Sequence, residues 1–94
     1  MTILKIGICG WGNVATGLFE QLTANNHISS QWQVTCIGAR RDNPRCDPGS
    51  VKILRDIFAV PDEEIDVLIE LIGGVDTAKA LIIKALNAKK HVIT

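Results

Sequence analysis

Short runs of consecutive apolar residues recur along this 94-residue chain and are separated by stretches of mixed polarity. Strands that are buried on both faces of a parallel sheet have this composition and are about four to eight residues long. The pattern therefore predicts five strands, at Ile3–Cys9, Gln33–Ala39, Val51–Leu54, Asp66–Ile72 and from His91 onward.

Apolar residues in two of the intervening stretches recur at every third or fourth position, which is the period of one face of an α-helix. They predict helices over Asn13–Ala24 and Asp76–Ala88, and the polar residues Asn25-Asn26-His27 are expected to end the first. A single helical turn is predicted over Asp56–Ala59, with Pro61 stopping it.

The alternation of strands and helices predicts an α/β fold, a doubly wound parallel sheet of the Rossmann type with helices on both faces. In the usual strand order 3-2-1-4-5, the first and fourth strands are neighbours, and ligands bind at their carboxyl ends. This order brings Gly10–Val14 beside Ile72-Gly73-Gly74. We expect residues 1–94 to form one such domain.

The first predicted strand runs directly into the glycine-rich turn Gly10-Trp11-Gly12-Asn13-Val14-Ala15, which opens the first helix. This arrangement is typical of the site that binds the diphosphate of a dinucleotide. Gly10 permits the tight turn, and Gly12 lets the diphosphate approach the backbone. Ala15 stands where a third glycine is common and is small enough to let the helix lie close to the strand. Asn13 and Val14 begin the helix, whose unpaired N–H groups and positive dipole end favour an anion.

Two arginines follow the second predicted strand, where dinucleotide folds distinguish NAD from NADP. Arg40 and Arg41 offer guanidinium donors that match phosphate oxygens, so we predict a preference for NADP, with Arg40 as the main contact. They could also be ordinary solvated side chains. Asp42 leaves NAD as an alternative cofactor, because a shift of one or two residues along the chain would let its carboxylate bind the ribose 2′-hydroxyl. The segment 40–50 contains two prolines and a glycine and predicts a loop.

Two glycines and a carboxylate stand near the end of the fourth predicted strand. Gly73 and Gly74 form a turn with unusual backbone angles, allow close approach of the cofactor's ribose or nicotinamide, or do both. Glu70 lies in an apolar run, where an unpaired carboxylate would be costly. Its partner is expected either in a part of the protein beyond this chain or in solvent at a strand edge, and the sequence does not rank the two.

Composition and charge narrow the classes of partner. Ten basic and ten acidic side chains give a formal net charge of zero, which disfavours nucleic acid and anionic membranes. No apolar stretch approaches the roughly 20 residues of a membrane span. The three cysteines have neither disulfide nor zinc spacing, so we expect no metal site and a reducing, cytoplasmic location. Cys9 and Cys36 are expected to be buried and Cys46 to be exposed.

Three segments together resemble the N-terminal part of homoserine dehydrogenase. They are Ile6–Gly17, Ile65–Gly74 and Ala85–Thr94. The second contains Glu-Leu-Ile-Gly-Gly and the third ends in Lys-His-Val-Ile-Thr, a combination more particular than the glycine turn alone. The resemblance covers nearly the whole chain and is weakest over Arg40–Val60. Ala15 departs from the glycine that most members of the family have.

The resemblance implies an oxidoreductase that interconverts L-aspartate 4-semialdehyde and L-homoserine with NAD(P)H, in the biosynthesis of threonine and methionine. It also implies that Ile72, Gly73 and Thr94 lie along the ribose–nicotinamide side of the cofactor. The family's catalytic lysines and acids have no counterpart here, so no catalytic residue is assigned. We expect a fragment of a longer enzyme, inactive alone, that forms a homo-oligomer because its last strand leaves a sheet edge open.

Two alternatives stay open at this point. The chain is the cofactor domain of another small-substrate reductase, such as an aspartate dehydrogenase, or it is a nucleotide-binding module that catalyses nothing. Other reductases with this fold share the glycine turn but generally lack the segment Glu70–Gly74. In favour of the module, 94 residues provide no general acid or base positioned for hydride transfer.

Overall fold

Five parallel strands form the sheet on which the rest of the molecule is built. The computed structural model describes residues 3–24 and 31–94. Its strands are β1 (Leu4–Cys9), β2 (Trp32–Gly38), β3 (Lys52–Leu54), β4 (Val67–Glu70) and β5 (His91–Ile93). They pair in the order β3-β2-β1-β4-β5. The expected fold class and strand order are confirmed, whereas the helix end predicted at residues 25–27 lies outside the described residues.

Three helical segments connect the strands. Helix α1 spans Asn13–Ala24, helix α2 spans Val75–Asn87, and a 3-10 helix covers Ile57–Asp62. Within the described ranges, no helix is long and apolar enough to cross a membrane.

Side-chain alternation divides the core into two layers, one on each face of the sheet. Because successive residues of a strand point to opposite faces, Ile6 and Ile8 of β1 cluster with Phe19 of α1. Cys9, by contrast, belongs to the second cluster, which contains Leu81 of α2. The central strands are thus buried on both faces, which is why they read as nearly continuous apolar runs.

One irregularity in β2 changes this alternation. The pairing of β1 with β2 shifts between Val34 and Cys36, so Thr35 is an extra residue in β2. Val34 and Ile37 therefore share the α1 side of the sheet, whereas Cys36 lies on the other side. An extra residue of this kind is a β-bulge, which the apolar run did not predict.

The fourth strand is shorter than the predicted Asp66–Ile72. The Leu71 N–H still donates to the Cys9 carbonyl of β1 (2.8 Å). The Ile72 N–H, however, donates to a carboxylate oxygen of Glu70 (2.7 Å). Because that N–H has turned back toward a side chain of its own strand, it is lost to strand pairing and the sheet ends here.

Pro61 lies inside the 3-10 helix, so the prediction that it stops a turn at Ala59 is wrong. Proline has no N–H to donate to the Phe58 carbonyl, which a 3-10 helix would pair with it. The Lys84 ammonium of α2 donates to that carbonyl instead, and it also forms an ion pair with Asp62 (3.2 Å). The missing backbone bond is thus replaced by a contact that joins α2 to the 3-10 helix.

Two of the three cysteines are fully buried, and all three are free thiols. Burial, reinforced by the neighbouring Cys36 and Glu70, raises the pKa of the Cys9 thiol to about 12. Burial also raises the pKa of Cys36 to about 11. Both predictions of burial are confirmed, whereas Cys46 is half-buried rather than exposed.

We predict that a disulfide reagent such as DTNB, at about pH 8, modifies Cys46 in the folded chain but neither Cys9 nor Cys36, because thiolates are the reactive form. Absorbance of the released thiolate should report one equivalent in buffer and three in concentrated urea, one for each cysteine. The control Cys46→Ser should report none in buffer. Rapid release of a second equivalent from the folded chain would contradict the described core.

Candidate functional site

A cleft opens at the carboxyl ends of β1 and β4, where the direction of the chain's winding reverses. Its volume is about 500 Å³. This is the switch point at which doubly wound sheets bind their ligands. Six of the predicted cofactor-binding residues line it, namely Gly10, Gly12, Arg40, Arg41, Ile72 and Gly73, and so does Asp42.

Gly10 holds the turn against the end of β4. Its φ is +110°, and a Cβ at this position would lie 2.7 Å from the Leu71 carbonyl oxygen, closer than a side-chain carbon can approach an oxygen. Its N–H donates to the Gly38 carbonyl of β2 (2.8 Å). Any side chain here would push the turn away from β4, so Gly10 is required by both backbone angle and space.

Gly12 faces open space, and the start of α1 lies directly behind it. A Cβ at Gly12 would have no neighbour within 4 Å. The first backbone bond of α1 runs from the Thr16 N–H to the Gly12 carbonyl (2.9 Å). The N–H groups of Asn13, Val14 and Ala15 therefore precede the helical ladder and have no partner in it. No acidic side chain lies in this first turn, so the helix end keeps its attraction for an anion.

The side chains of these three residues have different surroundings. Val14 is 70% exposed, and Asn13 is exposed as well. Ala15 is buried in the cluster between α1 and the sheet, the position for which the sequence called for a small residue. None of these three predicted site residues lines the cleft, so what they offer a ligand is the backbone N–H groups at the start of α1.

Arg40 and Arg41 lie exposed on the β2 side of the cleft, and Asp42 lies beside them. The Asp42 carboxylate forms an ion pair with Arg55 (2.5 Å), and Arg55 also donates to the Ala39 carbonyl (3.3 Å). Within residues 3–24 and 31–94, Arg40 and Arg41 form no ion pair. This edge of the cleft therefore presents two guanidinium groups and one exposed carboxylate, one oxygen of which is paired with Arg55.

Asn43 joins the loop after β2 to the glycine turn, a contact that the sequence analysis missed. Its side-chain Nδ2 donates to the Trp11 carbonyl (3.1 Å), and its Oδ1 accepts from the Arg45 N–H (3.0 Å). Trp11 packs edge-to-face on Phe19 of α1, with ring centroids 5.2 Å apart. An asparagine in a proline-containing loop signals a local turn, but nothing in the sequence pointed to its distant partner.

Glu70 finds both of its partners inside this chain, contrary to the two alternatives that the sequence left open. The side chain is 6% exposed. One oxygen accepts from the Ile72 N–H (2.7 Å) and the other from the Thr94 hydroxyl (2.6 Å). A buried carboxylate is tolerated when both oxygens are hydrogen-bonded in this way.

Two further predicted site residues, Gly74 and Thr94, also lie outside the lining of the cleft. Thr94 is bonded to Glu70. Gly74 has a φ of +91° and lies at the residue immediately before α2, which supports the interpretation of the double glycine as a turn. Gly73 does line the cleft, and so does Thr77 in the first turn of α2, which the sequence analysis did not single out.

The chemistry of the cleft suits binding rather than proton transfer. Among its described lining residues there is no histidine, cysteine, lysine or glutamate, and the one carboxylate is paired with Arg55. In the part of the chain that the structure describes, no three His, Cys, Asp or Glu side chains group to hold a metal ion. Backbone donors, two arginines and apolar walls are what a negatively charged nucleotide needs.

A glycine turn at the switch point of a five-stranded parallel sheet, with unpaired helix N–H groups beside it, defines a dinucleotide-binding domain of the Rossmann type. The sequence model of the homoserine dehydrogenase NAD-binding domain matches residues 10–94. The chain therefore belongs to this family, whose cofactor is a nicotinamide dinucleotide and whose parent enzymes are oxidoreductases.

Individual relatives agree with this assignment. A homoserine dehydrogenase from Pseudomonas aeruginosa is 44% identical over 100 residues, covering 100% of this chain and 23% of the relative. The crystal structure of S. aureus homoserine dehydrogenase at pH 6.0 superimposes with a TM-score of 0.83 at 23% identity, over 98% of this chain and 25% of that one. The chain thus spans about a quarter of the length of these proteins.

RSP, a Rex-family repressor, has a similar fold. The structure of RSP in complex with β-NADH superimposes with a TM-score of 0.70 at 20% identity, over 94% of this chain and 42% of that one. Because the identity is low, this likeness shows a shared fold only.

We predict that Gly10→Ala destabilises the folded chain and that Gly12→Ala leaves its stability nearly unchanged. Gly10→Ala should lower the free energy of unfolding by about 1–3 kcal/mol, because the added methyl group collides with the Leu71 carbonyl and the φ is unfavourable. Gly12→Ala should stay within about 0.5 kcal/mol of the wild type, because its methyl group meets nothing. Urea unfolding followed by circular dichroism measures both.

Nucleotide titration completes the comparison. The Gly12→Ala variant should bind NADPH and NADH more weakly than the wild type, because its methyl group occupies space that the diphosphate needs. If Gly12→Ala bound both nucleotides as tightly as the wild type, the diphosphate would not lie at this turn.

Proposed function

We propose that the cleft binds NADP(H) and that this chain is the cofactor-binding part of an enzyme that interconverts L-aspartate 4-semialdehyde and L-homoserine. This reaction lies on the route to threonine and methionine. The observation that carries the proposal is the cleft itself, in which the glycine turn lies at the centre and Arg40 and Arg41 lie at one side, in a member of the homoserine dehydrogenase family.

In this proposal the diphosphate lies across the turn. The backbone N–H groups of Gly12, Asn13 and Val14 face it, and the start of α1 contributes its positive dipole end. Gly10 forms the turn beside it, and its own N–H is paired with β2. Ala15 contributes indirectly, because its small side chain lets α1 approach β1.

The two ends of the dinucleotide then lie on opposite sides of the turn. The adenine ribose lies toward the end of β2, where Arg40 binds the 2′-phosphate and Arg41 adds a second positive charge. The ion pair between Arg55 and one oxygen of Asp42 favours NADP over NAD, because Arg55 competes with a ribose 2′-hydroxyl for this carboxylate. The nicotinamide ribose lies toward Ile72, Gly73, Gly74 and Thr94.

The bound cofactor supplies the hydride, and the residues of this chain bind and orient it. No residue here is proposed as a general acid or base. The chain alone is therefore proposed to bind the cofactor without turning over substrate, and the small-molecule substrate binds only in the full-length enzyme.

Assembly and location are part of the same proposal. Ile93 on the edge strand β5 is 56% exposed, and Ile83 and Leu86 on α2 are 47% and 56% exposed. Apolar residues exposed at a sheet edge support a homo-oligomer, which sedimentation velocity would test. The free thiols of the three cysteines support a cytoplasmic location.

A non-catalytic nucleotide-binding module is the second candidate. It is favoured by the composition of the cleft, whose described lining lacks any free proton-transfer group. The cofactor domain of another reductase, such as an aspartate dehydrogenase, is the third. All three candidates bind a nucleotide, so only a turnover experiment separates them.

We expect the variant Arg40→Ala to raise the Kd for NADPH by about tenfold, since hydrogen bonds to charged groups are worth about 1.5–3 kcal/mol. Binding of NADH should stay the same, because it has no 2′-phosphate. Isothermal titration calorimetry with both nucleotides measures the effect, and Arg45→Ala, an exposed arginine outside the cleft lining, is the matched control. An unchanged preference in Arg40→Ala would argue against this phosphate contact.

A chimera tests the proposed reaction. In it, this chain replaces the matching segment of the Pseudomonas aeruginosa relative, which is 44% identical to it. The chimera should oxidise L-homoserine with NADP, and the same chimera carrying Gly12→Ala should show a higher KM for the nucleotide. If a folded chimera bound NADPH and left homoserine unchanged, one of the other two candidates would replace this proposal.

A further inference from the structure

Glu70 is the one charged side chain among the described residues that is buried. A buried carboxylate at this position calls for an explanation, because an apolar residue of similar size would avoid the cost of removing the charge from water. Its two hydrogen bonds satisfy the carboxylate, but they do not explain why it is there. The groups that it holds give the explanation.

The carboxylate joins the exit of β4 to the end of β5. One oxygen holds the Ile72 N–H, and Ile72 is part of the cleft wall. The other oxygen holds the Thr94 hydroxyl, directly after β5. Neither Glu70 nor Thr94 lines the cleft itself, so Glu70 acts on the wall from behind.

The same stretch of backbone is fixed from the other side as well. The Leu71 N–H donates to the Cys9 carbonyl (2.8 Å), and the Leu71 carbonyl lies against Gly10. Backbone contacts thus connect the glycine turn to Leu71, next to Ile72. Within the described residues, the side-chain hydrogen bonds at the end of β4 are those of Glu70.

We propose that Glu70, which is also anchored to Thr94 next to β5, is a positioning residue that holds the wall of the cleft at Ile72 against the nicotinamide half of the cofactor. The inference rests on the proposed function of the cleft. The adenine half is held on the β2 side, so the β4–β5 side, to which Glu70 is bonded, faces the other half of the dinucleotide. Loss of the Glu70 bonds leaves the Ile72 N–H without its partner, and the wall is then free to move.

Two ligands distinguish the contribution of the nicotinamide half to binding from that of the adenine half. NADPH makes contacts on both sides of the turn, whereas 2′-phospho-ADP-ribose lacks the nicotinamide. A loosened wall near Ile72 should weaken the first ligand and leave the second unaffected. A general loss of folded structure would weaken both.

In the first pair of variants, Thr94→Val removes the bond to the hydroxyl and Glu70→Leu removes both bonds. In the second pair, Thr94→Ser and Glu70→Gln keep groups that can make them. We expect Thr94→Val to raise the Kd for NADPH by about fivefold, the equivalent of one ordinary hydrogen bond, and Glu70→Leu to raise it further, with the Kd for 2′-phospho-ADP-ribose unchanged in both. The second pair should remain close to the wild type. Thr94 is exposed, so Thr94→Val keeps the test usable if Glu70→Leu fails to fold.

Val67→Ala is the matched control, because Val67 is buried at the opposite end of β4. It should change the two Kd values by the same factor or not at all. Equal changes for both ligands in Thr94→Val and Glu70→Leu would overturn the positioning role of Glu70. If the wild-type chain bound neither ligand at millimolar concentration, the proposed function of the cleft would fail, and this inference with it.

Discussion

The close contact between the turn after β1 and the end of β4 is the constraint on which the site depends. A Cβ at Gly10 would lie 2.7 Å from the Leu71 carbonyl oxygen, so the two backbones touch with no side chain between them. The Leu71 N–H is bonded back to Cys9 at the same place. This contact sets where the first turn of α1 points and how wide the cleft opens, because both neighbouring loops start from it.

Much of the fold could be predicted because it depends on local patterns. Apolar runs gave the strands, helical spacing gave α1 and α2, and the alternation of the two gave the strand order. The glycine turn could also be predicted, because the succession of strand, glycines and helix start is local in the sequence. Gly10 is required by its φ of +110° and by the Leu71 carbonyl, whereas Gly12 faces open space. Six of the predicted cofactor-binding residues line the cleft.

The features that the sequence did not disclose are contacts between residues far apart in the chain. Glu70 pairs with Thr94, Asp42 with Arg55, and Asn43 with the Trp11 carbonyl. Local propensity carries no information about such partners. Pro61 was misjudged for the same reason, because the bond that compensates for its missing N–H comes from Lys84 on another helix.

The β-bulge in β2 has a consequence for how the sheet distributes its side chains. Successive residues of a strand point to opposite faces of the sheet, so one inserted residue moves every residue that follows it to the other face. Thr35 is such an insertion. Without it, Trp32 and Val34 on one flank and Ile37 on the other would fall out of phase. Because of the bulge, apolar residues on both sides of Thr35 pack into the same core cluster, between the sheet and α1.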